Sequence, residues 1–152
     1  MESKQGTPRV LLDTSFILPS LGVDVFERVT KGLNAIATLN AEIYYSQFSI
    51  LESLWVAARL LTRATFDAER FSLDLRSVIE EGRYSKVEED SKTYNDSLKL
   101  YALGHRDMID NILYVNSVQH NTKLLTLDDE LGKFLRQNRL DYTLLFPEEI
   151  RT

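Results

Sequence analysis

The chain contains no cysteine, and this absence removes several kinds of chemistry at once. Without a thiol there can be no disulfide, no thiolate nucleophile, no zinc–thiolate site and no iron–sulfur cluster. Histidine is scarce as well, and the two that occur, His105 and His120, do not have the spacing of a metal-ligand pair. The candidate functional groups are therefore sought among the carboxylates.

Long apolar runs are also missing. No segment approaches the roughly 18 uncharged apolar residues that a membrane span needs. The N-terminus, from Met1 to Gly6, lacks the apolar stretch of a signal peptide, so we expect a soluble, cytoplasmic protein. A chain of 152 residues with 43% hydrophobic residues can bury one core. We therefore predict a single domain over residues 1–152, with a polar leader at 1–8.

Positive charge is in the minority. The chain carries 18 Lys and Arg against 23 Asp and Glu, which gives a net charge of -5. The overall field would repel nucleic acid rather than attract it. A nucleic-acid substrate would therefore need a local basic patch or a bound metal.

Hydrophobic periodicity predicts alternating strands and helices. Short apolar or β-rich runs predict strands over residues 9–13, 42–46, 83–87, 123–127 and 142–146. Helical spacing of apolar residues predicts helices over 25–39, 47–63, 66–80, 90–103, 107–120 and 129–138. The segment Phe16–Pro19 is predicted to begin a connection. This alternation favours an α/β fold in which a mostly parallel sheet of four or five strands is covered on both faces.

Two aspartates follow apolar runs at opposite ends of the chain. Asp13 ends the run Val10–Leu12, and Asp128 follows Leu124–Leu127. Because ligands of open α/β sheets bind outside the carboxyl ends of the strands, these two acids could share one site. Each also has a simpler interpretation as a helix N-cap, and at Asp128 the two roles are compatible.

Further acids stand apart from the solvated charges. Glu52 lacks the usual helical salt-bridge partners, because its i−4 and i+4 neighbours are Phe48 and Val56. The alternative is a glutamate at the edge of a buried face with its carboxylate in water. Asp107 and Asp110 lie three positions apart, on roughly one face of a helix. Either of them could instead be an N-terminal acid that the helix dipole favours.

Taken in order, these elements resemble the PIN domain, a family of metal-dependent ribonucleases that includes the VapC-type toxins of prokaryotic toxin–antitoxin pairs. The resemblance spans Arg9 to Phe146 and implies a three-layer α/β/α sandwich. It is carried by four segments: Leu11-Leu12-Asp13-Thr14-Ser15, Ser46-Gln47-Phe48-Ser49-Ile50-Leu51-Glu52, Asp110-Asn111-Ile112-Leu113 and Leu125-Thr126-Leu127-Asp128.

The resemblance implies an acidic catalytic site that binds Mg²⁺ or Mn²⁺. Its four expected metal ligands, which are also the expected catalytic residues, are Asp13, Glu52, Asp110 and Asp128. Asp110 is assigned as the third acid because the apolar pair that follows it matches the family pattern, and Asp107 becomes a flanking acid. The reverse assignment of these two stays open. Ser15 and Thr126 would support the acids by hydrogen bonds.

The activity that the resemblance implies is cleavage of RNA to leave a 5′-phosphate and a 3′-hydroxyl. Candidates for contacts with the RNA backbone are Arg59, Arg63 and Arg106. Family members commonly form homodimers, and many are inhibited by an antitoxin that covers the acidic site. The surface that we expect to pair lies on the two predicted helices between Gln47 and Glu80.

Alternative functions are weighed against the nuclease. One is a catalytically inactive PIN scaffold that binds RNA or protein, and another is a PIN nuclease of RNA maturation. The family usually has small residues where this chain has Tyr114–Asn116, so the packing behind the site is expected to differ. A response-regulator receiver domain fits less well, because it needs an acidic pair after the first strand and Asp13 is followed by Thr14 and Ser15.

Overall fold

The computed structural model describes residues 6–152, which form one five-stranded sheet with helices on both faces. In chain order the elements are β1 (Arg9–Leu12), α1 (Thr14–Ser20), α2 (Glu27–Thr38), β2 (Glu42–Tyr45), α3 (Gln47–Leu60), α4 (Ala68–Ile79), β3 (Ser85–Lys86), α5 (Ser91–Leu103), α6 (Met108–Gln119), β4 (Lys123–Leu125), α7 (Asp129–Gln137), β5 (Leu144–Leu145) and a 3₁₀ turn at Pro147–Glu149. Every strand pair is parallel. The predicted α/β fold is therefore confirmed, with five strands. Within residues 6–152, each helix is too short or too polar to cross a bilayer.

The central strand, β1, divides its side chains between two apolar cores. Val10 and Leu12 enter a core formed with α1, α2 and α4, whereas Leu11 faces a core formed with α5, α6 and α7. Successive side chains of a strand point to opposite faces of the sheet, so this apolar run suits a strand that is covered on both sides. The two cores make the three layers of the fold.

The direction in which the chain crosses the sheet reverses at β1. The strand order is β3-β2-β1-β4-β5, so β2 pairs with one edge of β1 and β4 pairs with the other. Leu11 lies opposite both Tyr44 of β2 and Leu124 of β4. Such a reversal opens a crevice beyond the carboxyl ends of the strands, where open α/β sheets bind their ligands. In this fold that crevice lies just beyond Leu12 and Leu125.

Helix α1 replaces the connection that the sequence predicts at Phe16–Pro19. It begins directly after Asp13, whose carboxylate caps it by accepting the N–H of Ser15 at 3.0 Å. Proline disfavours a helix interior, but Pro19 lies in the last turn of a seven-residue helix. The helix is too short to show a period of its own, and no loop separates it from β1. For these reasons hydrophobic periodicity does not predict α1.

The other predicted elements are present with shifted ends. The strand predicted over 123–127 stops at Leu125, because the chain turns there and the Thr126 hydroxyl accepts the N–H of Asp128 at 3.1 Å. The helix predicted over 47–63 ends at Leu60, and the strand predicted over 83–87 is reduced to Ser85–Lys86. Of the predicted polar leader, residues 1–5 lie outside the described residues and residues 6–8 precede β1.

Candidate metal centre

Four acids predicted from the sequence line a single pocket at the carboxyl end of the sheet. The pocket has a volume of about 290 Å³. Its lining consists of Asp13, Thr14, Ser15, Glu52, Asp110, Leu127 and Asp128. The four acids come from the ends of β1 and of the β4–α7 turn and from helices α3 and α6, so long-range packing brings them together.

Asp13 is held between β1 and β4. Its backbone N–H donates to the carbonyl of Leu125 at 3.1 Å, and its side chain caps α1. Burial raises the pKa of the Asp13 carboxyl to about 6, and the charge of Asp128 adds to the rise. Hydrogen bonds from Thr126 and Ser15 favour the ionised form and partly oppose this shift. Thr126 and Ser15 therefore contact the acid that they are predicted to support.

Asp128 caps α7 and still has an oxygen to offer a ligand. One carboxylate oxygen accepts the N–H of Leu131 at 3.1 Å. The backbone N–H of Asp128 donates to the Thr126 hydroxyl, which fixes the turn out of β4. The second carboxylate oxygen is not needed for capping. The N-cap interpretation of Asp128 therefore agrees with the structure and leaves room for metal binding.

The two acids at the start of α6 have different positions. Asp107 is the N-cap, is exposed, and accepts the N–H of Asp110 at 3.1 Å. Asp110 lies in the first turn and lines the pocket, which Asp107 does not. Burial raises the pKa of Asp110 to about 9, and the charges of Asp107 and Asp128 contribute to the same shift. The geometry therefore favours Asp110 as the third ligand.

Glu52 reaches the pocket from α3. It is half-buried, and its carboxylate accepts a short hydrogen bond from the Thr14 hydroxyl at the start of α1. The sequence identifies Thr14 only as a neighbour of Asp13 and does not predict it as a site residue. Its position after the strand-end aspartate is the signal that could have identified it. The hydrogen bond from Thr14 orients the Glu52 carboxylate within the pocket that both residues line.

His105 is a second residue near the acids that the sequence does not predict there. One of its ring nitrogens and carboxylate oxygens of Asp110 and Asp128 lie within 4.8 Å of one another. The sequence discounts His105 because its spacing from His120 does not suit a ligand pair. The useful signal is instead its position five residues before Asp110.

The donor set suits a divalent cation. Mg²⁺ and Mn²⁺ prefer oxygen ligands, and the pocket offers four carboxylates. Among the described residues that line it there is no lysine or arginine to offset their charge. Burial first, and then the neighbouring carboxylates, raise the pKa values of Asp13 and Asp110, so a cation would favour the ionised form of both acids. These residues therefore fit a metal of this kind.

The three arginines predicted to contact RNA lie outside the pocket lining. All three are exposed. Arg59 lies seven positions after Glu52 on α3, which is two helical turns along the same face. Arg63 follows the end of that helix, and the guanidinium of Arg106 lies over the ring of Tyr101, 5.6 Å from its centroid.

The residues that depart from the family pattern are buried behind the site. The Tyr114 hydroxyl donates to the carbonyl of Asp141 at 2.7 Å. The Asn116 amide donates to Glu89 at 3.3 Å. The Tyr114 hydroxyl and the Asn116 side-chain nitrogen therefore have partners on neighbouring segments, whereas the buried Asn116 side-chain oxygen has none among the described residues.

Comparison with known proteins places this architecture in a family. The chain matches the model of the PIN domain over residues 10–136, and it belongs to the PIN domain family. No curated protein matches it significantly.

Two solved structures share the fold. The crystal structure of FitAcB from Neisseria gonorrhoeae has a TM-score of 0.57 and 17% sequence identity, and the alignment covers 91% of this chain and 98% of that one. The structure of FitAB bound to an IR36 DNA fragment has a TM-score of 0.57 and 20% identity, with 94% and 98% covered. At these identities the likeness is one of fold.

Proposed function

We propose that this protein is a metal-dependent endoribonuclease that hydrolyses RNA phosphodiester bonds. The observation that carries the proposal is the convergence of four acids, from four separate parts of the chain, on one pocket at the carboxyl end of the sheet. Membership of a family whose members are generally nucleases supports it. The cytoplasm, where RNA is abundant, is the compartment in which we expect it to act.

The site residues divide the chemical work. A bound Mg²⁺ or Mn²⁺ would supply an activated water and neutralise charge on the leaving oxygen. Asp13, Asp110 and Asp128 would hold the cation, and Glu52 would complete the set. Thr14 keeps the Glu52 carboxylate turned towards the pocket by its hydrogen bond. No histidine base is required for this reaction.

The RNA backbone needs positive charge near an acidic pocket. We propose that it runs along α3, where Arg59 lies two turns beyond Glu52, and that Arg63 and Arg106 contact it on either side. All three guanidinium groups are exposed and free to form charge-assisted hydrogen bonds with phosphates. Because contacts between guanidinium groups and phosphates release counterions, RNA binding should weaken as the salt concentration rises.

We further propose that the protein is the toxin of a toxin–antitoxin pair. An apolar groove of about 530 Å³ adjoins the acidic pocket and shares Ser15 and Leu127 with it. Phe26 lines this groove and is 83% exposed. An apolar groove beside an acidic pocket suits an amphipathic antitoxin segment that carries a basic side chain. A nuclease of RNA maturation, the alternative, would not need such a partner.

A homodimer is the proposed assembly. The segment from α3 to α5 exposes large apolar side chains that a monomer would leave in water. They include Leu54, Trp55, Leu61, Leu73, Leu98 and Tyr101, with Trp55 56% exposed. The first four of these lie between Gln47 and Glu80, the surface expected to pair from the sequence.

The test of the nuclease is RNA cleavage by the purified chain, free of any partner, in Mn²⁺, Mg²⁺ and EDTA. Asp13→Asn and Asp110→Asn should each lower metal-dependent cleavage by more than about 100-fold, beyond the loss expected from removing a residue that only orients a ligand. Asp107→Asn is the matched control and should retain most activity.

Each other outcome has a distinct meaning. Cleavage that survives Asp13→Asn would indicate a contaminating nuclease and would contradict the proposal. An absence of cleavage by the wild type on every RNA would favour the inactive scaffold, the alternative in which the family fold binds RNA or protein without turnover.

A further inference from the structure

His105 lies beside Asp110 and Asp128, two of the acids that line the acidic pocket. Helix α5 ends at Gly104, whose φ of 119° turns the chain, and the N–H of His105 donates to the carbonyl of Leu100 at 3.1 Å. The imidazole ring packs against Phe134 of α7, with 5.2 Å between ring centroids. Its position is thus fixed jointly by the end of α5 and by α7, the helix that Asp128 caps.

The neighbouring Asn111 fixes which nitrogen of His105 carries the proton. The buried Asn111 side-chain nitrogen donates to the carbonyls of His105, at 2.8 Å, and of Ser97, at 3.4 Å. Only the NH₂ end of the amide can donate to two carbonyls, so its oxygen faces Nδ1 of His105, 2.6 Å away. Nδ1 must therefore donate its proton to Asn111. In the neutral ring, the lone pair then lies on Nε2.

The ring is within reach of two of the proposed metal ligands. Among the described residues, His105, Asp110 and Asp128 form a group in which one potential ligand atom from each lies within 4.8 Å of the others. Histidines that bind metals almost always donate their other N–H to a protein acceptor, which sets the tautomer and the ring orientation. Asn111 provides that acceptor for His105.

We propose that Nε2 of His105 is a nitrogen ligand of the metal centre, beside the carboxylates of Asp110 and Asp128. This inference rests on the metal site of the proposed function and adds to it a donor of a different chemical kind. Imidazole suits metals such as Mn²⁺, Co²⁺ and Zn²⁺, whereas Mg²⁺ prefers oxygen ligands throughout. His105 therefore makes the centre favour Mn²⁺ over Mg²⁺.

A purely structural His105 would behave differently. That role uses only the ring face against Phe134 and the Nδ1 hydrogen bond to Asn111. It leaves Nε2 unchanged when a metal enters the pocket. Whether Nε2 binds the added metal therefore distinguishes a metal ligand from a purely structural histidine.

The direct test is ¹⁵N NMR of the full chain labelled at histidine, with Zn²⁺ as a diamagnetic probe. The chain has only two histidines. His120 is the internal control. Its Nε2 lies 2.9 Å from the carbonyl of Glu88, and His120 is the C-cap of α6, at the opposite end of the helix from Asp110. One equivalent of Zn²⁺ should shift the Nε2 resonance of His105 and leave that of His120 in place.

Two results would overturn the inference. In the first, calorimetry detects Zn²⁺ binding that is lost in Asp110→Asn, but the Nε2 resonance of His105 does not shift. That result would exclude the nitrogen ligand while keeping the metal site. An absence of Zn²⁺ and Mn²⁺ binding by the wild type would contradict the metal site itself, and with it the proposed function.

A pair of variants tests the metal preference. His105→Gln should weaken Mn²⁺ binding by at least about tenfold and Mg²⁺ binding by less than about threefold, whereas His120→Gln should change neither. Circular dichroism before titration checks that both variants are folded. Equal weakening of both metals in His105→Gln, or no weakening, would contradict the proposal.

Discussion

Replacing Asp13 by asparagine should stabilise the metal-free protein at neutral and alkaline pH. Asparagine keeps the shape of the side chain and is as good a helix N-cap as aspartate, so α1 keeps the cap that accepts the N–H of Ser15. The substitution removes only the negative charge that burial and Asp128 disfavour. It should therefore reveal the free energy that the fold spends on holding an unpaired carboxylate in the pocket.

The magnitude follows from the pKa. The Asp13 pKa rises from 3.8 to about 6 on folding. At 1.36 kcal/mol for each pKa unit this corresponds to about 3 kcal/mol, and the partial exposure of the side chain lowers the expected value to about 1–3 kcal/mol. Well below pH 3.8 the group is neutral in both states and costs nothing. Stability is lost as the pH rises from about 4 to about 6, and the loss is constant above that range.

Urea unfolding in EDTA at pH 4 and pH 8 measures this effect. At pH 8, Asp13→Asn should raise the free energy of unfolding by about 1–3 kcal/mol, or the melting temperature by about 3–8 °C, and at pH 4 the gain should fall to about 0.5 kcal/mol or less. Asp24→Asn, at an exposed acid in the loop after α1, is the control and should change stability little at either pH. An Asp13→Asn protein less stable than the wild type at pH 8, or a gain that is the same at both pH values, would refute the reasoning.

Three other outcomes are expected. Mn²⁺ should raise the melting temperature of the wild type more at pH 8 than at pH 5.5. The reason is that Asp13 and Asp110, with pKa values of about 6 and about 9, must lose protons to bind metal. An equal or larger rise at pH 5.5 in differential scanning fluorimetry would contradict this prediction. Thr14→Val should lower metal-dependent cleavage by about 10- to 100-fold, because Glu52 loses its orienting hydrogen bond. The far-UV circular dichroism spectrum should not change. Full activity of this variant would show that Thr14 has no role in the site. Trp55→Glu should shift a homodimer to monomer in sedimentation velocity, because it places a charge on the proposed apolar interface; a dimer that persists would place the interface elsewhere.

The sheet and the approximate place of the site could be predicted because their signals are local. The runs that became β1 and β4 are apolar on both faces, as strands covered on both sides must be. Asp13 and Asp128 stand directly after or close to the ends of these strands. Because ligands bind beyond the carboxyl ends of parallel strands, the sequence alone predicts that these two acids share one site.

The choice between Asp107 and Asp110 needed three-dimensional structure. Both acids suit the N-terminus of a helix, and a separation of three positions puts them on roughly one face. The start of the helix separates their positions. Asp107 remains outside α6 as its cap, whereas Asp110 lies within the first turn and faces the pocket.

Helix α1 and His105 escaped prediction for different reasons. The helix has seven residues and contains Pro19, so neither its length nor its composition produces a helical period. The position of His105 depends on long-range contacts, with Phe134 of α7 and with the buried amide of Asn111. No spacing within the sequence reports such contacts.

The central claim is that the acidic pocket holds a catalytic metal, and anomalous diffraction from crystals grown with Mn²⁺ tests it most directly. We expect an anomalous peak within coordination distance of carboxylate oxygens from Asp13, Asp110 and Asp128, and no such peak in crystals of Asp110→Asn grown in the same way. A wild-type pocket without Mn²⁺ at saturating concentration, or an ion bound only elsewhere on the protein, would contradict the account.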